Sequence, residues 1–317
     1  MTLPRDILTI DEKWLKDLLP FPVSAFRIEK LADGYMSDVY RLHIEPNQRS
    51  IIVKVSSTVA ATRKLVQQFR SYEKEHLFYA RLANVVDVPV PDCYFNFYED
   101  DNWFLLGLED MGPQVKTQLT DNEVMIAARC LALLHKTQTT EVLPSIHDAL
   151  TAAAIDLQTA DVSAFYTGPV ADLLTQYTRR PLDLLPLYTG QTQVVSHMDF
   201  RLKNLSFNAD QVIVFDWGEF STAPAGFDLA YFAVTSLSID QRRRLESNLI
   251  DTYTDYANET TRIATLASYQ LCLLPAVYMP WLMAQSGDEV AAAQLANRLS
   301  AAIDDHYEAI VRQLNAQ

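Results

Sequence analysis

The stretch VSHMDFRLKNLSFNADQVIVFDWGEFSTAPAGFDLAYF, residues 195–232, carries the most specific pattern in the chain. Asp199 is followed five residues later by Asn204, and Asp216 comes twelve residues after that, at the end of the apolar run 212–215. Phosphoryl transfer needs a carboxylate that orients and deprotonates the attacking hydroxyl. It also needs an amide oxygen and a second carboxylate to hold Mg²⁺ against the phosphates. The pattern therefore predicts a phosphoryl-transfer site.

Working outward, strands are predicted early in the chain and helices late. Five short runs of apolar or alternating residues predict strands, at 26–31, 39–44, 51–55, 94–98 and 103–108. Apolar residues at helical spacing predict one long helix over 59–82. After Gly112 the pattern becomes helical, beginning with a capping box at 120–123. The sequence thus predicts an α+β chain with an N-terminal domain at 1–111 and a C-terminal domain at 112–317.

Composition and charge exclude several classes of nucleotide-binding protein. Only 8 of the 317 residues are glycine, and neither GxxxxGK[ST] nor GxGxxG is present. A P-loop NTPase and a dinucleotide-binding Rossmann protein therefore both lose support. The formal net charge of −14 would repel a phosphate backbone, so we expect no nucleic-acid partner.

The cysteines and the apolar segments indicate a cytoplasmic protein. The three cysteines are far apart in sequence and form no CxxC pair, which argues against a disulfide scaffold. The N-terminus has neither the basic nor the apolar region of a signal peptide. The most apolar stretch, 271–284, is shorter than the roughly 20 residues that cross a bilayer, and two prolines interrupt it. We therefore expect no membrane partner.

The order of these pieces resembles a known family. His197–Asp199, Asn204, Asp216–Trp217 and Asp228–Ala230 are similar to the H-G-D-x-x-x-x-N, D-W and D-L-A pattern of the aminoglycoside phosphotransferase and choline kinase-like family. The resemblance spans residues 20–235 of the sequence. It implies a two-lobed protein-kinase-like fold. One lobe would hold an N-terminal antiparallel sheet plus a helix, and the other would be larger and mainly helical.

In the N-terminal part, the resemblance implies that Lys54 pairs with the α- and β-phosphates of ATP while a helix glutamate holds it in place. Helix geometry leaves two candidates for this glutamate, Glu73 and Glu75. The family pattern of a glutamate followed by an aromatic pair looks like residues 75–79, which favours Glu75.

Two further segments complete the nucleotide site that the resemblance implies. The turn at 33–37, with Gly34 and Ser37, would cover the phosphates in place of a glycine-rich loop. The segment 105–111 resembles the hinge whose backbone hydrogen-bonds adenine. The hinge residues expected at the cofactor are Leu108, Glu109, Asp110 and Met111.

The resemblance also implies the roles of the residues around the reaction. Asp199 would be the catalytic base, and Arg201 would neutralise charge on the transferring phosphoryl group. Asn204 and Asp216 would hold Mg²⁺. Only eleven residues separate Asp216 from Asp228, which leaves no room for the activation segment of a protein kinase. The expected partners are therefore ATP and a small molecule with a hydroxyl group.

An alternative is a kinase-like module that binds a nucleotide or metabolite without turnover. Two departures from the family pattern motivate it: Met198 stands where the family has glycine, and the turn at 33–34 is unusual. The intact Asp199, Asn204 and Asp216 favour the enzyme. The sequence singles out neither a phosphate acceptor nor an oligomeric state.

Overall fold

The computed structural model describes residues 3–31, 36–100, 102–113, 116–157, 162–179, 181–208, 211–257 and 260–316. The chain divides into two compact units. The first unit comprises Met1–Asn84, Val90–Gln114 and Phe215–Glu219, and the second comprises Val85–Pro89, Val115–Val214 and Phe220–Gln317. Asp216 therefore belongs to the first unit although it lies late in the sequence. The domain boundary at 111/112 stays a prediction.

The first unit is built on an antiparallel sheet. The sheet has five strands in the order β1-β2-β3-β5-β4, so the sequence prediction of an antiparallel N-terminal sheet is confirmed. The elements of this unit are α1 (Glu12–Leu18), β1 (Ala25–Lys30), β2 (Ser37–Glu45), β3 (Arg49–Ser56), α2 (Ala60–Phe69), α3 (Ser71–Leu77), β4 (Cys93–Asp100) and β5 (Trp103–Glu109).

The single long helix predicted over 59–82 is wrong. Arg70 has a φ of 56°, in the left-handed region, and it separates α2 from α3. A π-helical turn, Phe78–Leu82, then follows α3. Apolar periodicity misses this break because a residue in each of the two helices, Val66 and Tyr72, is still buried. The chain therefore forms two shorter helices here, and Glu75 lies on the second.

The hydrophobic core of the first unit fixes the central strand β3. Ile51 and Val53 on this strand are fully buried, and they alternate with residues on the other face as a half-buried strand requires. On α1, Leu15 is also fully buried, and Trp14 packs edge-on against Phe95 with ring centroids 5.0 Å apart. The core therefore fixes the strand on which Lys54 lies.

The second unit is mainly helical, as the sequence predicted. The capping box is confirmed, because Glu123 N donates to Thr120 Oγ1 (3.3 Å) and Thr120 N donates to Glu123 Oε2 (2.9 Å). The helices are α4 (Asp121–His135), α5 (Ile146–Leu157), α6 (Gly168–Arg179), α7 (Leu185–Thr189), α8 (Gly226–Ser236), α9 (Ile239–Tyr256), α10 (Arg262–Cys272), α11 (Tyr278–Gln285) and α12 (Glu289–Asn315). The strands are β6 (Gln193–Ser196), β7 (Leu205–Asn208), β8 (Gln211–Val214) and β9 (Ser221–Pro224), paired as β6–β9 and β7–β8.

Helix α8 lies at the centre of the second unit. Nearly all of its residues are buried, including Asp228. Gly226 permits a close approach to α10, because a Cβ atom at this position would lie 2.3 Å from the carbonyl carbon of Ser268. The carboxylate of Asp228 is therefore held rigidly inside the unit.

One stretch, Arg262–Gln285, is long and apolar enough to cross a membrane by length and composition alone. However, 61% of its most apolar window is buried inside the protein, as in the core helix of a globular unit. A 3-10 turn at Pro275–Val277 also separates α10 from α11.

Candidate active site

Lys54 lies at the centre of a charged triad in the first unit. Its Nζ atom is 2.6 Å from Glu75 Oε1 on α3 and 2.6 Å from Asp216 Oδ1. The side chains of Lys54 and Glu75 are 11% and 5% exposed, whereas that of Asp216 is 43% exposed. Glu73 instead pairs with Arg70 at the surface. Of the two candidate glutamates, the structure pairs Glu75 with Lys54.

The charge state of Lys54 follows from its two partners. Burial disfavours the ammonium form, but the negative charges of Asp216 and Glu75 outweigh it and raise the pKa of Lys54 above its ordinary value. Lys54 is therefore a fixed cation at neutral pH. A buried cation of this kind is suited to bind phosphate oxygens.

The segment that carries Asp216 packs against the helical part of the first unit. Trp217 is fully buried and stacks on Phe78, with ring centroids 3.8 Å apart. Ser71 Oγ, at the start of α3, donates to Glu219 Oε1 at 2.7 Å. Asp216 itself has a φ of 68°, in the left-handed region. These contacts anchor the segment that directly follows the strained residue Asp216.

In the second unit, the loop between β6 and β7 brings Asp199, Arg201 and Asn204 together. Asn204 Nδ2 donates to the backbone oxygen of Asp199 (2.9 Å) and to its Oδ2 atom (2.7 Å). Arg201 Nε lies 3.1 Å from Asp199 Oδ1. The Asp199 carboxylate is thus held from two sides.

The buried carboxylate of Asp228 holds the start of this loop through hydrogen bonds. Its carboxylate accepts hydrogen bonds from the backbone N–H groups of His197 (2.8 Å) and Met198 (2.9 Å), and His135 Nε2 lies 3.1 Å away. Burial acts to raise the pKa of Asp228, but the hydrogen bond with His135 and the nearby histidine charges lower it below its ordinary value overall. Asp228 therefore acts as an anionic anchor of the loop.

Met198 adopts the backbone conformation that glycine would favour. Its φ is 66°, in the left-handed region, where a side chain is disfavoured. The backbone of the loop is therefore compatible with the family pattern even though the residue is not glycine. The hydrogen bond from the Met198 N–H to Asp228 helps to hold this conformation.

The predicted hinge begins inside the sheet. Leu108 pairs with Ile52 on β3 and with Cys93 on β4. Glu109, the last residue of β5, donates its N–H to the carbonyl of Asp92 at 2.8 Å. The N–H of Glu109 is therefore already bonded, and Asp110 and Met111 are the hinge residues that follow the sheet.

The side chain of Asp110 shapes the chain as it leaves the hinge. Its carboxylate accepts hydrogen bonds from Arg41 Nε (2.6 Å), Ser50 Oγ (2.6 Å) and the N–H of Gly112 (2.8 Å). Gly112 has a φ of 77°, which glycine adopts without strain. Asp110 thus contacts β2, β3 and the turn after the hinge, and its side chain has a structural role.

The predicted phosphate turn lies partly outside the described residues. Gly34 is among the residues that are not described, whereas Ser37 is the first residue of β2 and is buried. Sequence reasoning missed Tyr72, whose hydroxyl donates to the carbonyl of Met36 at 2.6 Å. The available signal was a polar hydroxyl at an apolar position of the helix, three residues before Glu75.

The donor types fit Mg²⁺, which prefers oxygen ligands. Asn204 commits its amide nitrogen to Asp199, so its amide oxygen is the atom suited to a cation. Asp216 contributes a carboxylate, which is partly exposed. Asn204 and Asp216 belong to different units. Within the described ranges, no group of three or more His, Cys, Asp or Glu residues is placed to hold a metal ion. The magnesium site stays a prediction.

A known family model matches most of the chain. A model described as "Phosphotransferase enzyme family" matches residues 27–264, well over half of the chain. No curated protein sequence matches the chain significantly.

Solved structures share the fold at low sequence identity. An ethanolamine kinase of Plasmodium vivax is 14% identical, with a TM-score of 0.62 over 91% of this chain and 85% of its own. The GDP and kanamycin complex of an APH(2″) enzyme is 14% identical, with a TM-score of 0.59 over 92% of this chain and 97% of its own. The amicoumacin kinase hAmiN, solved with AMP-PNP, Ca²⁺ and Ami, is 14% identical, with a TM-score of 0.61 over 92% of this chain and 93% of its own.

Proposed function

Because this chain belongs to the phosphotransferase enzyme family, we propose that it transfers the γ-phosphoryl group of Mg-ATP to a hydroxyl group of a small molecule. The family and the fold neighbours support the coarser statement, a small-molecule phosphotransferase. The observation that carries the finer one is the contact of Lys54 with both Glu75 and Asp216. This contact places one fixed cation beside a partly exposed carboxylate, which suits a phosphate chain and its metal ion.

On the nucleotide side, Lys54 would bind phosphate oxygens while Glu75 restrains it. Restraint matters because a long lysine side chain loses rotamer freedom on binding unless it is already fixed. The backbone of Asp110 and Met111 would bind the base. The side chain of Asp110 is held by hydrogen bonds with Arg41 and Ser50, and these bonds fix the position of the backbone that would bind the base.

On the acceptor side, Asp199 would accept the proton of the attacking hydroxyl. Asn204 and Arg201 hold its two carboxylate oxygens, which orients the base without protonating it. As phosphoryl transfer proceeds, Arg201 would also stabilise negative charge on the γ-phosphoryl oxygens.

The residues that would hold Mg²⁺ are Asn204 and Asp216. The bound ion would neutralise charge on the phosphates. Lys54 contacts the same carboxylate group of Asp216. The lysine would therefore keep Asp216 ordered before the ion binds.

For the phosphate acceptor, we propose a chemical class and not a single compound. The similar structures include an ethanolamine kinase, a kanamycin complex and an amicoumacin kinase. Amino alcohols and amino sugars are therefore the first compounds to test in a panel of acceptors. The net charge of −14 is compatible with cationic acceptors of this kind. Because one neighbour carries GDP and another AMP-PNP, the donor test includes both GTP and ATP.

The first experiment measures binding and turnover in the same preparation. Mg-ATP is expected to raise the melting temperature of the wild type through ligand linkage. ADP release is expected with at least one acceptor of the panel. Asp216→Ala should remove the Mg²⁺ dependence of the melting shift, whereas Asp17→Ala, an exposed residue of α1, should retain it.

Two outcomes would count against the proposal. A metal-dependent shift that persists unchanged in Asp216→Ala would contradict the metal assignment. Nucleotide binding without turnover on the whole panel would favour the alternative, a binding module.

A further inference from the structure

The hydroxyl of Tyr72 makes two short hydrogen bonds inside the first unit. It accepts from the backbone N–H of Ser57 at 2.7 Å and donates to the backbone carbonyl of Met36 at 2.6 Å. Tyr72 is only 1% exposed. Its ring stacks on Phe104 with centroids 4.9 Å apart and an interplanar angle of 3°. The packing of the ring therefore fixes the position of the hydroxyl.

The two backbone groups face each other at the end of the β2–β3 ladder. The last pair on this side is Ser37 opposite Ser56. One step further in the same register places Met36 opposite Ser57. Tyr72 thus bridges the two strands just beyond their last paired residues, where the chain of β2 begins.

This bridge joins two parts of the nucleotide site. Met36 and Ser37 are the last residues of the segment 33–37 that the sequence assigns to the phosphates. Tyr72 lies on α3 three residues before Glu75, so both project from one side of the helix. One hydroxyl therefore connects the helix that restrains Lys54 with Met36, which directly precedes β2.

We propose that Tyr72 is a positioning residue for the nucleotide phosphates, which holds Met36, at the start of β2, against β3 and the helix of Glu75. The inference rests on the proposed function, because it assumes that ATP binds at Lys54. It goes beyond that function by assigning a role to a residue that is not among those proposed to bind the nucleotide or the acceptor.

The protonation state of Tyr72 supports this role. Burial raises the pKa of Tyr72 to about 12. The hydroxyl therefore keeps its proton at neutral pH and retains both the donor for Met36 and the acceptor for Ser57.

Tyr72→Phe tests the proposal because it removes the hydroxyl and keeps the stacked ring. The KM for Mg-ATP and the Kd for ADP are expected to rise about fivefold, the effect of one lost hydrogen bond on a bound state. The Kd for adenosine, which has no phosphates, is expected to change by less than about twofold, since the lost bond acts at Met36, beside the segment assigned to the phosphates. The kcat is expected to fall less than KM rises.

Tyr166→Phe is the matched control in the second unit. Its hydroxyl also donates to a backbone carbonyl, that of Val277 at 3.3 Å, and the residue is 4% exposed. The control should shift the melting temperature without changing the KM for Mg-ATP. The proposal is overturned if Tyr72→Phe leaves ADP affinity unchanged, if adenosine weakens as much as ADP, or if Tyr166→Phe raises KM equally.

If the Tyr72→Phe variant does not fold, a second measurement, on the wild type, tests the proposal. Hydrogen exchange of the Ser57 amide in the wild type should slow when ADP binds, because the bound phosphates stabilise the bridge that Tyr72 makes between Ser57 and Met36. An exchange rate that ADP does not change overturns the proposal. If the wild type binds no nucleotide at all, the proposed function itself fails, and this outcome is distinct from a normal ADP affinity in Tyr72→Phe.

Discussion

Lys54 and Asp216 are 162 positions apart in sequence, yet the Lys54 ammonium lies 2.6 Å from Asp216 Oδ1. The lysine comes from the central strand of a sheet, and the aspartate comes from a five-residue segment that joins the same unit late in the chain. Glu75 completes the contact from α3. The candidate nucleotide site therefore depends on three separate parts of the sequence meeting at one cation.

Glu75→Gln tests the restraint on Lys54. The neutral amide leaves the lysine with Asp216 as its only carboxylate partner in the triad, so the cation is held less firmly. We expect kcat/KM for Mg-ATP to fall about tenfold, which corresponds to about 1.4 kcal/mol of transition-state stabilisation. The measurement is steady-state kinetics at saturating acceptor.

Glu73→Gln is the control for this variant, because Glu73 lies two residues away and pairs with Arg70 at the surface. Exposed pairs of this kind contribute little, so kcat/KM should stay within about twofold of the wild type. Equal losses in the two variants would contradict the assignment of Glu75.

Asp228→Asn tests whether the Asp228 carboxylate anchors the loop that carries Asp199. The amide has one acceptor oxygen where the carboxylate has two, so a hydrogen bond to His197 or Met198 is weakened. We expect the free energy of unfolding to fall by about 2–3 kcal/mol at pH 7, since hydrogen bonds to a buried charge are among the stronger ones. Chemical denaturation of the two proteins measures this difference.

The same pair of proteins has a defined pH dependence. The pKa of Asp228 is lowered in the folded state. Its stabilising effect is therefore present above the ordinary aspartate pKa of about 3.9 and is lost as the pH falls below that value toward the folded pKa. The stability difference between wild type and Asp228→Asn should shrink as the pH falls below about 4. A difference that keeps its full size well below about pH 4 would show that the carboxylate is not an anionic anchor.

Met198→Gly tests whether the departure from the family pattern affects the loop. The left-handed conformation disfavours a side chain by roughly 1–2 kcal/mol, whereas glycine loses about 0.5–1 kcal/mol through its freer unfolded chain. We expect a gain in stability of up to about 1 kcal/mol, with turnover within about threefold of the wild type. Gln48→Gly is the control, because Gln48 also has a positive φ, 51°, but lies in the turn between β2 and β3. This variant should show only the stability gained by removing a side chain from the left-handed region.

A different result would change the interpretation of Met198. If the wild type turns over no acceptor and Met198→Gly does, the methionine would be what makes the chain a binding module. If Met198→Gly loses most of its turnover while Gln48→Gly does not, the side chain itself would contribute to the loop.

The sequence predicted much of the fold because its signals are local. Alternating residues marked the five strands of the sheet, and Thr120 with Glu123 marked the start of α4. The break at Arg70 was not predicted, because the apolar residues recur at helical spacing in the sequence on both sides of it. Helix α1, which covers the sheet through Trp14, was also missed.

The sequence predicted which residues belong to the candidate site, but it did not predict the contacts between them. Order along the chain singled out Lys54, Asp199, Asn204 and Asp216. Helix geometry left Glu73 and Glu75 as candidates, and only the family pattern favoured Glu75. Contacts between distant segments, such as Tyr72 with Met36 or Asp110 with Arg41, have no local sequence signal. They depend on how strands and helices pack in three dimensions.

The most direct test of the account is transfer of the γ-phosphoryl group of labelled ATP to the best acceptor of the panel, in the wild type and in Asp199→Asn. General base catalysis contributes about 10²–10⁴-fold, so Asp199→Asn should lose at least about a hundredfold in kcat while its affinity for ATP stays within about threefold. Asp240→Asn, an exposed residue at the start of α9, should transfer phosphate as the wild type does. Labelled acceptor formed by Asp199→Asn at more than about a tenth of the wild-type rate would contradict the account.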